Sequence, residues 1–237
     1  MAVKRAHMVT RGYLEAWSNA RRQVHVWDME HKIDGVRALG DATVVGHAYR
    51  TLVVTHDLEG EYGKIENAAI PALRALATGG DPNRAGRAAI IAFLDMHVER
   101  GRYADQASVT LPAATGNMDG SIELVEMGLG DRLSLAEGLD RQAPRLSGLQ
   151  LERKRWHVID LGTDQLITGD GAVLPFGERD QTRTVTFPLS PAKLLLIGDN
   201  VLGRNVPFNW LVAQRSRRWL VSHVDGHIAR ALRFRTS

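Results

Sequence analysis

The chain has 237 residues, 44% of them hydrophobic, which is long enough to bury a substantial core. Its 30 Lys and Arg stand against 27 acidic residues for a net charge of +3, a field too modest to name a nucleic-acid partner by itself. The lack of cysteine excludes disulfides, thiolate metal sites and cysteine nucleophiles, and with no run of eighteen apolar residues and only Ala2-Val3 before Lys4, a cytoplasmic chain without membrane contact is expected.

The opening segment, residues 4–17, gathers His7, the cations Lys4, Arg5 and Arg11, and the aromatics Tyr13 and Trp17. Residues 24–27 and the β-branched run 51–55 read as short strands. A helix is predicted over 58–77, where Leu58, Tyr62, Ile65, Ala69, Leu73 and Leu76 recur at helical spacing; Pro71 should kink or split it, and Gly79-Gly80-Asp81-Pro82 stops it. A second helix over 84–100 carries Ala88, Ile91, Leu94 and Val98 at core spacing, with Gly101 as its stop. Residues 103–130 read as loops or an irregular insert, and 133–151 as further helix broken near Ala143-Pro144. The last third predicts strands at 156–159, 165–168, 184–187, 193–197 and 219–221, with a short helix over 209–216.

These elements predict an α+β fold with central helices and a mostly antiparallel sheet formed by N-terminal and C-terminal strands. One domain over 1–237 is expected, with a helical middle about 58–151 and a strand-rich portion about 155–235. Three basic clusters stand out: Lys4, Arg5 and Arg11; Arg153, Lys154 and Arg155 before Trp156; and Arg215, Arg217 and Arg218 before Trp219. Folded onto one face they would meet phosphate; otherwise they are solvated charge, with Trp inward and Arg outward on each strand. Phosphate-loop, dinucleotide-fold, zincin and nucleophile-elbow signatures are all absent.

His7 with Tyr13-Leu14, the strand over 24–28, the helix from Leu58-Glu59 to Ile65-Glu66, Arg155-Trp156, Leu166-Ile167-Thr168-Gly169-Asp170, Pro188-Leu189-Ser190-Pro191 and Asn209 together form an ordered set. That set, spanning roughly residues 4–222, resembles the bacterial domain-of-unknown-function family numbered 4238. Four departures are visible: Ala6 at the first position of the family's paired histidines, Thr10 where proline is usual, His97 where glutamine precedes the matching Arg100, and Thr168-Gly169-Asp170-Gly171 where the family has a Thr-Ser-Asp-Asn-Pro-like turn. The resemblance implies a bacterial or bacteriophage-borne protein and no established activity.

His7, Glu66, His97, Arg100, Asp170 and Asn209 come from separate elements, as the members of folded sites often do. The leading expectation is a binding protein that recognises nucleic acid, a nucleotide or a host or phage protein through a basic N-terminal face. Arg5, Arg11 and Arg100 would neutralise phosphate, with His97 and Asn209 as further ligand contacts. The alternative is a metal-dependent phosphodiesterase or nuclease in which His7, Glu66 and Asp170 are catalytic and hold a divalent ion. Plainer roles compete at each position: Asp170 as a turn former, Asn209 as a helix cap, Arg100 answering a helix dipole, His97 as a boundary residue, and Glu59 and Glu66, seven apart, as solvated charges.

Overall fold

The computed structural model describes residues 5–51, 53, 57–139, 146–162, 166–178, 181–198, 206–223 and 227–233. Its strands are β1 (Arg5–His7), β2 (Gln23–Asp28), β3 (Ile33–Ala38), β4 (Val44–Gly46), β5 (Leu111–Gly116), β6 (Ile122–Met127), β7 (Trp156–Asp160), β8 (Thr168–Gly169), β9 (Leu174–Glu178), β10 (Gln181–Ser190), β11 (Lys193–Gly198) and β12 (Trp219–Ser222). Its helices are α1 (Arg11–Leu14), α2 (Leu58–Ala77), α3 (Arg84–Arg102), α4 (Leu129–Leu139), α5 (Phe208–Arg215) and α6 (His227–Arg233). Every sheet is antiparallel, and the fold is α+β.

The two ends of the chain meet in one four-stranded sheet of order β3-β2-β12-β8, with Val26 opposite Val221 and Trp27 opposite Leu220. A second sheet, β7-β11-β10-β9, is built from the last third alone. α2 and α3 pack together as a helical hairpin, with α2 against β10, and their N-terminal ends are fixed locally. Asp57 accepts the Gly60 amide at 3.0 Å, and Asn83 accepts the Gly86 amide at 2.9 Å, each satisfying a donor that the first helical turn leaves free.

α2 is a single helix through Pro71, so the predicted split does not occur; the ring sits on an exposed position, where the carbonyl it frees faces water. α3 continues past Gly101, the predicted stop, to Arg102. That glycine answers a packing demand, since a Cβ there would stand 1.9 Å from the Asp170 carbonyl oxygen. The apolar stripe of α3 is also rotated from the expected one: Ile91 and Leu94 are buried but Ala88 is exposed, and Ile90, Phe93, His97 and Arg100 complete the inward face.

Two strands arise where loops were expected. β5 and β6 form a hairpin inside 103–130, closed by Asn117-Met118-Asp119-Gly120, where Gly120 takes a φ of +84°. The expected strand at 51–55 lies mostly outside the described residues, and Thr51 and Val53 belong to no strand. The expected break at Ala143-Pro144 also lies outside them. No helix among the described residues is long and apolar enough to cross a membrane.

Because the Gly101 site has no room for a methyl group, Gly101→Ala should lower unfolding free energy by about 3 kcal/mol through overpacking, read from urea midpoints. A midpoint equal to that of the parent chain would show that the α3 terminus does not seat against the Asp170 turn as described.

Candidate functional site

Asp170 follows β8 in Thr168-Gly169-Asp170-Gly171 and is almost fully buried. Its Oδ2 accepts the backbone N–H of Arg217 at 2.9 Å and of Arg218 at 3.1 Å, and its Oδ1 accepts that of Trp219 at 3.0 Å. Burial pushes its carboxyl up to about 6 against the pull of those three donors. The flanking glycines allow this closeness: a Cβ on Gly169 would lie 2.2 Å from the Trp219 carbonyl oxygen, and one on Gly171 would lie 2.3 Å from the Ser216 nitrogen. Asp170 therefore shapes the chain entering β12, as a turn former would, and does so across 47 residues of sequence.

Two other expected site residues, His97 and Asn209, attach at or beside the same turn, and so does Tyr13. His97 Nε2 donates to the Gly169 carbonyl at 2.9 Å, and the ring packs among Tyr13, Phe93 and Phe187, so burial lowers the imidazole to about 4 and keeps it neutral. It is a core residue and not a boundary one. The Tyr13 hydroxyl donates to the Pro188 carbonyl at 2.6 Å, leaving Thr168 to donate to Tyr13 at 2.7 Å. Asn209 lies inside α5, whose cap position is Pro207, and accepts the Ile167 amide through Oδ1 at 2.9 Å.

The loop that Asp170 holds presents a cleft of about 260 Å³ lined by Val98, Gly101, Arg102, Asp170, Arg215 and Arg217. Arg217 is matched by Asp105 at 3.3 Å, whereas Arg215, at the end of α5, has no carboxylate partner among the described residues. A larger cleft of about 490 Å³ beside the α3 N-terminus mixes Arg84, Arg87 and Arg153 with Asp81 and Glu152, and Arg87 is paired to Asp81 at 2.8 Å. Each cleft thus gathers three arginines, answered by Asp81 and Glu152 at the larger and by Asp170 and the Asp105 pairing at the smaller. Arg102 lies past the stop that the sequence suggested, which is why it went unread.

On the opposite side of α3, the buried Arg100 guanidinium lies between two tyrosine rings, 4.3 Å from the Tyr62 centroid and 5.0 Å from that of Tyr49. Its Nη1 donates to Glu66 Oε1 at 2.6 Å and to the Thr10 hydroxyl at 3.2 Å, and Thr10 donates in turn to Glu66 at 2.9 Å. Glu66 is thus an ion-pair partner and not a solvated charge. Arg100 is committed to this network, whereas a plain dipole role would leave its head in water. Glu59, one side of the network, has its carboxyl raised by burial, with Arg100 opposing and Glu66 reinforcing.

His7 stands on the other side. Burial first, then the Arg11 charge, lower its imidazole, while Glu66 and a hydrogen bond to the Leu39 backbone act in the opposite sense. Its Nε2 is sealed from water and lacks a protein partner, as do Oε2 of Glu59 and Nε of Arg100. Arg5 is matched by Asp41, and Arg22 and Arg74 both meet Glu15, so Arg11 is an exposed cation beside His7 with no acidic partner in the described residues.

His7 and Glu66 therefore share one neighbourhood, while Asp170 sits at the separate turn with His97. Among the described residues, the group with metal-ligand geometry is Asp28, Glu30 and His31. Arg218 already answers that group, with Nε 3.5 Å from Asp28 and Nη1 paired to Glu30. Its guanidinium also lies 4.2 Å from the Trp219 ring centroid, so both members of Arg218-Trp219 are buried, against the expected Trp-in, Arg-out arrangement. No protein-family model, curated protein or solved structure matches the chain.

Arg100→Lys removes the fork that reaches Glu66 and Thr10 and weakens the stack on Tyr62, so a loss of about 2 kcal/mol in urea unfolding is expected. An unchanged midpoint would mean the network carries no net stability. For pH, neutral His97 contributes stability that is present above 6.5 and lost as pH falls toward about 4. Asp170, raised from 3.8 to about 6, contributes stability present below 3.8 and lost as pH rises through about 6. Between pH 4 and 6 the two oppose each other, so His97→Gln should leave stability falling with rising pH by about 1.4 kcal/mol per unit. A variant whose pH slope equals that of the parent would contradict these assignments.

Proposed function

We propose that the chain is a binding protein for a phosphate-bearing ligand, a nucleotide or a nucleic acid, and that the arginine cleft beside the α3 terminus receives the phosphate. The observation that carries this reading is the cleft itself: three arginines line about 260 Å³, and Arg215 has no acidic partner among the described residues. Arg102 and Arg215 each close the last turn of a helix, a place that favours a cation whatever it binds. Arg217 has no such reason to be there. It is held at the rim because its own backbone N–H is pinned to Asp170.

The volume suits a phosphate group and its immediate neighbourhood more than a whole drug-sized ligand, so affinity would come from charge and fall with salt. The N-terminal face contributes less than the sequence suggested, since Arg5 is matched and Arg100 is enclosed. Arg11 is its exposed cation.

A fluorescently labelled single-stranded oligonucleotide provides the test by anisotropy. Arg215→Glu with Arg217→Glu should weaken binding about tenfold or more and reduce the log–log salt slope by about 1.4, as two phosphate contacts on a single strand require. Arg5→Glu should change binding little. Binding that survives the double reversal would remove the cleft from the function.

The phosphodiesterase reading keeps one specific observation in its favour. His7, hydrogen-bonded to the Leu39 backbone, keeps a buried Nε2 without a partner near ionisable Glu66, the arrangement of an imidazole that could accept a proton or a metal. On that reading, a phosphodiester would turn over with Mg²⁺ or Mn²⁺ and Glu66→Gln would abolish the rate. No turnover with either ion ends it.

A further inference from the structure

The arginine cleft ends blind. Its walls are the end of α3 with Val98, Gly101 and Arg102, the turn with Asp170, Gly171 and Val173, and the link from α5 to β12 with Arg215 and Arg217. These walls meet pairwise. A Cβ on Gly101 would stand 1.9 Å from the Asp170 carbonyl oxygen, and one on Gly171 would stand 2.4 Å from the Arg215 carbonyl carbon. The third junction is closed by Arg217 and Asp105 at 3.3 Å. Gly101 and Val173 are buried, so core lies beneath the walls. A cleft closed in this way admits the end of a ligand, whereas an internal phosphodiester, continued by chain on both sides, has to lie across its mouth.

Polarity divides the cleft by depth. Arg102, Arg215 and Arg217 are exposed, so their charge stands at the rim. α3 and α5 both bring their C-terminal ends here, and the last carbonyls of a helix carry partial negative charge. An anion pushed inward would meet that charge, so phosphate belongs at the rim and the part that enters must donate hydrogen bonds. Hydroxyl groups do so. The lining holds two valines, two glycines and no aromatic ring among the described residues, so a base finds no platform for stacking. A phosphomonoester also presents three terminal oxygens and nearly two charges to the rim arginines, where a diester presents two oxygens and one charge.

We propose that the cleft selects a phosphomonoester on a pentose-sized hydroxylated carrier, with the phosphate on the rim arginines, free hydroxyls inside and any base left outside. This rests on the cleft being a phosphate site and narrows which phosphate it prefers. A nucleic-acid strand, whose 3′ oxygens are esterified, touches the rim arginines alone and is held less tightly. A free pentose phosphate and a mononucleotide share the selected chemistry.

The experiment is amide chemical-shift titration of the parent chain at constant ionic strength with ribose 5-phosphate, adenosine 5′-monophosphate, 3′,5′-cyclic AMP and inorganic phosphate. Ribose 5-phosphate should saturate shifts at Gly101, Arg102, Gly171, Arg215 and Arg217, with cyclic AMP and inorganic phosphate at least about tenfold weaker. Affinity for the mononucleotide within about threefold of that for ribose 5-phosphate means that the sugar phosphate is read whichever molecule carries it. Ribose 5-phosphate tighter by about tenfold makes the free pentose phosphate the ligand. A mononucleotide tighter by about tenfold means that the base is read, and cyclic AMP or inorganic phosphate equal to ribose 5-phosphate means that charge alone is read. Either result overturns the selectivity while leaving the cleft a phosphate site. No saturable shift at those amides with any of the four compounds overturns both.

Discussion

One carboxylate organises this molecule. Asp170 binds three consecutive backbone amides, Arg217 to Trp219, and so fixes where the chain enters β12, the strand that joins the C-terminal portion to the N-terminal sheet. Three amide donors left without an acceptor in that interior would each cost about 1–3 kcal/mol, more together than the margin of many domains. The turn that carries Asp170 also supplies the Gly169 carbonyl to His97 and the contact that admits only glycine at position 101. Strand order, the seat of α3 and the mouth of the arginine cleft all follow from it.

The two sides of α3 divide the polar chemistry. Arg100 faces the N-terminal segment and is enclosed by Tyr49, Tyr62, Thr10 and Glu66, an arrangement that fixes position while leaving no free charge. Arg102, two residues on, faces the other way into the cleft with Arg215 and Arg217. The helix thus anchors on one side and presents cations on the other. A guanidinium held between rings and a carboxylate is committed to the fold, so the exposed arginines of the cleft are the ones that a ligand can reach.

The period-three-and-four spacing of α2 and the short apolar or β-branched runs of β2, β10, β11 and β12, set off by Gly, Asp and Pro turns in the last third, made the α+β architecture legible in the sequence, including the pairing of terminal strands. β3 and the β5–β6 hairpin were not legible, because strands that bury neither face fully lack the alternation that burial imposes. Pro71 and Gly101 misled for a related reason: their effects depend on solvent exposure and on a neighbouring backbone distant in sequence. Of the site residues, His7, Glu66 and Arg100 do converge, as the sequence suggested they could, whereas Asp170 and His97 belong to the scaffold. Arg215 and Arg217 were visible as a basic cluster, but their convergence with Arg102 is set by Asp170 and leaves no local trace.

The central claim is that the cleft organised by Asp170 is where phosphate is held. Titration of nucleoside monophosphate into isotopically labelled protein, followed by amide chemical shifts, tests it most directly. Saturable shifts concentrated at Gly101, Arg102, Gly171, Val173, Arg215 and Arg217 are the result this account predicts. Shifts that are linear and scattered over the surface, or that gather elsewhere and leave those amides unmoved, would contradict it.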